Sequence, residues 1–199
     1  LTSRHVLRLT PQGKIVTEIR NLGYTDVVTL PKNSNLAHPI GGGSGLLVRV
    51  TTARAVGGFP TVQPVIEDRE FMWELSMVSE MLQIPQAIFF YNYFPRDRFT
   101  TNWRYLATAR EQMVDKYRQA LLPYPQTRIR SYRDAARIYY GMGQRANGRR
   151  CLWKIIKIAP FAYSTWKLSL LLEFNQFLPI RLRRKAFGAG RFGRDNLEI

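Results

Sequence analysis

"HPIGGGSGLLVRVTTARAVGGF" occupies residues 38–59, and "IEDREFMWEL" follows at 66–75. The small residues Gly41, Gly42, Gly43, Ser44 and Gly45 lead into an apolar run, Leu46–Val50, which reads as a short strand. Thr51 or Thr52 then caps a single helical turn, and Gly57-Gly58 ends it. In the second stretch the acidic pair Glu67-Asp68 stands at the mouth of a helix. Phe71, Leu75, Val78 and Leu82 recur there at helical spacing and predict one buried stripe. A bare backbone lets a ligand approach closely, and a carboxylate at a helix start is a candidate proton acceptor.

Each piece has a plainer reading. An isolated Asp68 caps its helix and answers the macrodipole, and Glu70 and Glu74 are first-turn acids of the same kind. The run Glu67-Asp68-Arg69-Glu70 fits that role better than a carboxylate metal site. The glycine run is no Walker motif, since no Gly-Lys-Ser/Thr follows, and it opens a strand rather than a dinucleotide-binding helix. Two histidines and the single Cys151, far apart in sequence, give no zinc spacing and no internal disulfide.

Working outward, "RHVLRLTPQGKIVTEIR" reads as two strands around the turn Pro11-Gln12-Gly13. Val27–Leu30 and the aromatic run Ala87–Phe94 are strand-like, and Pro85 starts the element that contains the second. After Arg96 the texture turns helical. One helix covers 101–122, capped at Thr101 or Asn102. A second opens at Ser131 with Asp134 in a capping-box pattern. A third opens at Asn147 and stops before Pro160, and a fourth ends at Pro179. The expected domains are 1–98, mixed α/β; 99–180, a helical appendage; and 181–199, a basic Gly/Arg-rich tail.

Taken together, "GGGSGLLVRVTTARAVGGF", "IEDREFMWEL" and "LQIPQAIFFYNYF" resemble the C-terminal, acceptor-side half of family 2 glycosyltransferases over roughly residues 10–105. The carrying features are Gly57-Gly58-Phe59 and, after a loop, Glu67-Asp68. The resemblance implies an α/β fold, the C-terminal part of a Rossmann-like GT-A domain, followed by an all-helical extension. It implies inverting transfer of a sugar from a nucleotide-sugar to an acceptor hydroxyl. Asp68 would be the base and Glu67 would orient it or the acceptor. Gly43, Ser44 and Gly45 would let sugar lie on backbone. Arg96 or Arg98 would steady the diphosphate, or serve as plain surface charges. The parent enzyme would use a divalent metal, Mg or Mn, held by an Asp-x-Asp. No such motif occurs in these residues, nor does the histidine that many relatives carry after the aromatic strand. The chain therefore reads as a fragment lacking the donor half and binding no metal alone. Residues 139–160 resemble one helix pair of tetratricopeptide type.

Charge supplies the competing class. The chain carries 30 Lys+Arg against 14 Asp+Glu, a net +16. Residues 96–199 hold 22 of the basic and 7 of the acidic groups, so nearly all the excess lies in the helical half. Such a surface attracts phosphates on lipid or nucleic acid. "APFAYSTWKLSLLLEFNQFLPIRLRRK" is too interrupted by Lys167 and Glu173 to span a bilayer. It fits a helix lying in the interface, with Trp166 anchoring and Arg181, Arg183, Arg184 and Lys185 meeting anionic headgroups. The alternative to an enzyme is thus a non-catalytic basic helical module on anionic membrane or RNA. RNA ranks lower, because no recognition motif accompanies the arginines. The expected location is cytoplasmic, peripheral at the inner face of the membrane.

Overall fold

A computed structural model describes residues 2–3, 5–9, 15–19, 28–37, 46–61, 65–84, 90–92 and 103–174. The chain divides into two compact units, Leu1–Thr101 and Asn102–Ile199.

The first unit holds two small sheets. One joins β1 (Thr2–Ser3), β5 (Met81–Ile84) and β4 (Val28–Leu30), with β5 central, parallel to β1 and antiparallel to β4. The other joins β3 (Ile15–Ile19), β2 (His5–Leu9) and β6 (Phe90–Asn92), with β2 antiparallel to β3 and parallel to β6. The β2–β3 register, His5 opposite Ile19 through Leu9 opposite Ile15, is that of the hairpin expected from Pro11-Gln12-Gly13. The described residues of the unit also form α1 (Ser34–Ala37), α2 (Val50–Ala55) and α3 (Glu67–Val78).

The second unit is helical among its described residues: α4 (Trp103–Lys116), α5 (Pro125–Gly141), α6 (Arg145–Ile158) and α7 (Tyr163–Glu173). Helix α5 packs against both α4 and α6, and α7 packs on α6. The core between them is Ala107, Met113, Val114, Leu121, Ala135, Ala136, Ile138, Cys151 and Ile155, all nearly inaccessible. Burying one such aliphatic side chain contributes about 1.5–3 kcal/mol. The α5–α6 turn ends as a helix with a left-handed glycine should. Gly143 has φ 73°, and the Gln144 and Gly143 amides donate to Tyr139 O and Tyr140 O at 2.8 and 3.1 Å.

The expected Rossmann-like GT-A fold is not what these residues form. The described chain is mainly helical, and its strands make two three-stranded mixed sheets of short strands. A parallel sheet needs strands buried on both faces. Leu46–Val50, expected as a short apolar strand, makes only an isolated bridge at Leu46, and Val50 already begins α2. Leu47 and Val50 are 67% and 63% exposed, so no two-sided core recruits the run. Leu46 packs with Leu30 against Met72 and Met81.

Several boundaries also shift. Helix α2 begins after Arg49, with no side-chain cap from Thr51 or Thr52. The stripe on α3 is Phe71, Met72, Leu75 and Ser76, with Trp73 also buried. Val78 and Leu82 are 49% and 44% exposed, because the helix stops at Val78 and Leu82 belongs to β5. Helix α5 begins six residues before Ser131, at Pro125, where proline's fixed φ suits a first turn. Ser131 is therefore a buried interior residue and no cap. Helix α6 begins at Arg145, ahead of Asn147.

Candidate functional site

Gly57 and Gly58 take φ of 82° and 75°, a backbone region costly for other L-residues, and they turn the chain sharply out of α2. The Gly58 amide closes that turn on Ala53 O at 2.9 Å. Phe59 then lands on Phe71 of α3, with ring centroids 4.3 Å apart and planes tilted by 35°. Tilted aromatic pairs at this distance contribute about 0.5–1.5 kcal/mol beyond burial. The contact fastens the glycine turn one helical turn from Asp68.

Entry into α3 is unusual. The residue before the helix is Ile66, at φ 60° and ψ 15°. A β-branched residue in the left-handed region is strained, and such strain concentrates where position matters. Glu67 and Asp68 are the first two helical residues, both half-buried. Asp68 is therefore past the N-cap. No side chain caps this helix, and Asp68 Oδ1 accepts from the adjacent Arg69 amide at 2.7 Å. Glu70, read from the sequence as a first-turn acid, is only 4% exposed. It stands three residues before Trp73 on the same helix, and Trp73 is fully buried.

Gly43, Ser44, Gly45, Arg96 and Arg98 lie outside the described residues, as do Arg181, Arg183, Arg184 and Lys185. Trp166 is described, on α7, 46% exposed, with its indole N–H donating to Pro160 O at 2.7 Å. Among the described residues no group of three or more His, Cys, Asp or Glu is placed to hold a metal ion. They offer no ligand set for the divalent ion the resemblance implies.

The densest polar cluster is in the second unit. Glu111 and Asp115 stand four apart on α4, and Arg150 and Lys154 stand four apart on α6. Arg150 forks onto Glu111, Lys154 bridges Glu111 at 3.0 Å and Asp115 at 2.6 Å, and α5 contributes Tyr132 to Asp115 and Tyr139 to Glu111. Burial alone would raise the Glu111 carboxyl, but the hydrogen bonds from Arg150 and Lys154 hold it at about 2. Burial, then the bond to Asp115, pushes the Tyr132 phenol well up. The cluster is fully satisfied and ties three helices, so it reads as a clamp and offers no reactive group. A similar bond of Arg149 to Glu173, joined by Tyr140, ties α6 and α5 to α7 and lowers the Glu173 carboxyl.

No family model, curated protein or solved structure matches this chain.

Proposed function

We propose that the first unit serves sugar transfer from a nucleotide-sugar to an acceptor hydroxyl, with Asp68 as the base. The supporting observation is the Phe59–Phe71 contact, which ties Gly57-Gly58-Phe59 to the helix that opens with Glu67-Asp68. These are the two motifs on which the sequence resemblance rests, and the packing makes them one local structure. In the reaction the acceptor oxygen attacks the anomeric carbon. Its proton passes to an Asp68 carboxylate oxygen, and the bond from that carbon to the diphosphate breaks, so the nucleoside diphosphate leaves with the electron pair. A positioned carboxylate contributes about 10²–10⁴-fold to such a step. The rigid αL entry at Ile66 would fix the direction of the Asp68 carboxylate.

The test measures nucleoside diphosphate release from a panel of nucleotide-sugars with hydroxyl acceptors, using the polypeptide as its cell makes it. Asp68→Asn should cut turnover by about two to four orders of magnitude while leaving the melting temperature nearly unchanged. Full turnover in that variant would return Asp68 to the role of a helix-start acid.

A further inference from the structure

Helix α7 is apolar on two opposite sides. Thr165, Leu168 and Leu172 form its buried side. At 3.6 residues per turn, Tyr163, Trp166, Leu170 and Phe174 fall on the other side, and they are 76%, 46%, 60% and 54% exposed. Phe161, in the turn that leads into the helix, is 98% exposed. Scattered exposed apolar residues need no explanation, but a contiguous aromatic stripe marks a contact surface.

From this stripe we propose that the outward face of α7 docks on an anionic lipid bilayer, independently of the sugar-transfer reading. Three observations select this occupant. First, Trp, Tyr and Phe are the side chains that settle at headgroup depth, apolar in body and polar at the tip. The Trp166 N–H is already satisfied by Pro160 O, so the ring can enter an apolar layer without an orphaned donor. Second, the surroundings are cationic. Lys167 lies over the Tyr163 ring, 5.9 Å from its centroid, and Arg181, Arg183, Arg184 and Lys185 follow α7 in the sequence. Between α6 and α7 a cleft of about 440 Å³ has apolar walls of Trp166, Leu170 and Phe174; Glu173, paired with Arg149, offsets part of the charge that Arg145 and Arg149 bring to it. Third, a second copy of a chain with net +16 would meet this one with like charge, whereas an anionic surface complements it. No helix among the described residues is long and apolar enough to cross a membrane, so this helix would lie along the surface.

The experiment is co-sedimentation of the full chain with vesicles of phosphatidylcholine alone or mixed with phosphatidylglycerol. The chain should pellet with the mixed vesicles at low salt and leave them as salt shortens the Debye length. The double variant Phe161→Ser, Leu170→Ser, both at exposed positions, should weaken binding about tenfold or more, with the helical circular dichroism unchanged. Replacing Lys167 and the four tail cations by Gln should weaken it about fivefold per charge removed. Equal binding to both vesicle types would overturn the proposal, and so would full binding by the double variant. Absence of vesicle binding also overturns it. In that case, self-association lost in the double variant would assign the face to a second copy, and tight salt-sensitive RNA binding would assign the charge to nucleic acid.

Discussion

Arg150 grips Glu111 through two parallel hydrogen bonds, Nε to Oε1 and Nη2 to Oε2, each 2.8 Å long. Glu111 is 5% exposed and lies between fully buried Ala107 and Val114 on α4. A carboxylate this deep persists because its charge is answered twice, by Arg150 and by Lys154. Removing one partner of a buried pair costs more than the pair contributes, because the partner left behind keeps its desolvation penalty. Glu111→Gln should therefore lower stability by about 2–4 kcal/mol, read as a fall in the urea midpoint. Changing Glu111, Arg150 and Lys154 together to Met should cost less than the single change. A neutral Glu111→Gln would show that α4 and α6 are held by their apolar contacts alone.

Acid should loosen the same clamp. The Glu111 carboxyl sits at about 2 in the folded chain against an ordinary 4.5. A depressed carboxyl contributes stability that is present above its unfolded pKa and is lost as pH falls towards the folded one. The amount at stake is up to about 3 kcal/mol. The lowered Glu173 carboxyl, held by Arg149, acts with the same sign. Melting temperatures should drop steeply as pH falls from about 5 to about 2, and Glu111→Gln should flatten that slope. Parallel profiles for the two proteins would exclude Glu111 as the titrating group.

Cys151 is wholly inaccessible, and burial, followed by the nearby Glu111 charge, pushes its thiol up to about 12. The thiolate is the reactive form, so the native chain should resist alkylation at mildly alkaline pH. Labelling should then report opening of the helical unit and accelerate in Glu111→Gln. Rapid labelling of the native wild-type chain would contradict this burial.

Ile66 sits at φ 60° before α3. Left-handed backbone costs a β-branched residue about 1–2 kcal/mol, while replacement by glycine loses apolar contact and adds unfolded-state entropy of similar size. Ile66→Gly should thus leave stability within about 1 kcal/mol and, on the sugar-transfer reading, lower turnover by loosening Asp68. A large loss of stability would mean that the half-buried side chain matters more than its backbone.

Local patterns were legible in the sequence, and partners across space were not. The pairing of β2 with β3 follows from two β-prone runs close in sequence, and the end of α2 at Gly57-Gly58 from residues that admit a left-handed backbone. Leu46–Val50 misled because an apolar run becomes a buried strand only if a sheet covers both faces, which the sequence alone does not report. Asp68 draws attention in the sequence because it stands in a motif. Glu111 does not, although the matched four-residue spacings of Glu111 and Asp115, and of Arg150 and Lys154, are there to see; which helices face each other decides that they meet. In the exposed stripe of α7, Trp166 stands out by residue type, whereas Leu170 and Phe174 belong to an apolar run whose inward and outward sides only the packing on α6 separates.

Gly148 tests the packing of the helix pair directly. It is a buried residue inside α6, where glycine costs about 1 kcal/mol relative to alanine in an exposed helix. Alanine would therefore stabilise the helix in isolation. In the folded chain a Cβ at this position would stand 2.4 Å from two ring carbons of Tyr140 on α5, far inside contact distance. The ring cannot readily retreat, since its hydroxyl is bonded to Glu173 and Tyr140 is 4% exposed. Overpacking of this kind costs about 1–3 kcal/mol, which exceeds the propensity gain. Gly148→Ala should lower the melting temperature and weaken the α5–α6 contact. In the background of Tyr140→Ala, itself destabilising, the added methyl should be neutral or favourable, so that the two changes are strongly non-additive. Additive losses in that double-mutant cycle would show that the glycine is not there to admit the ring.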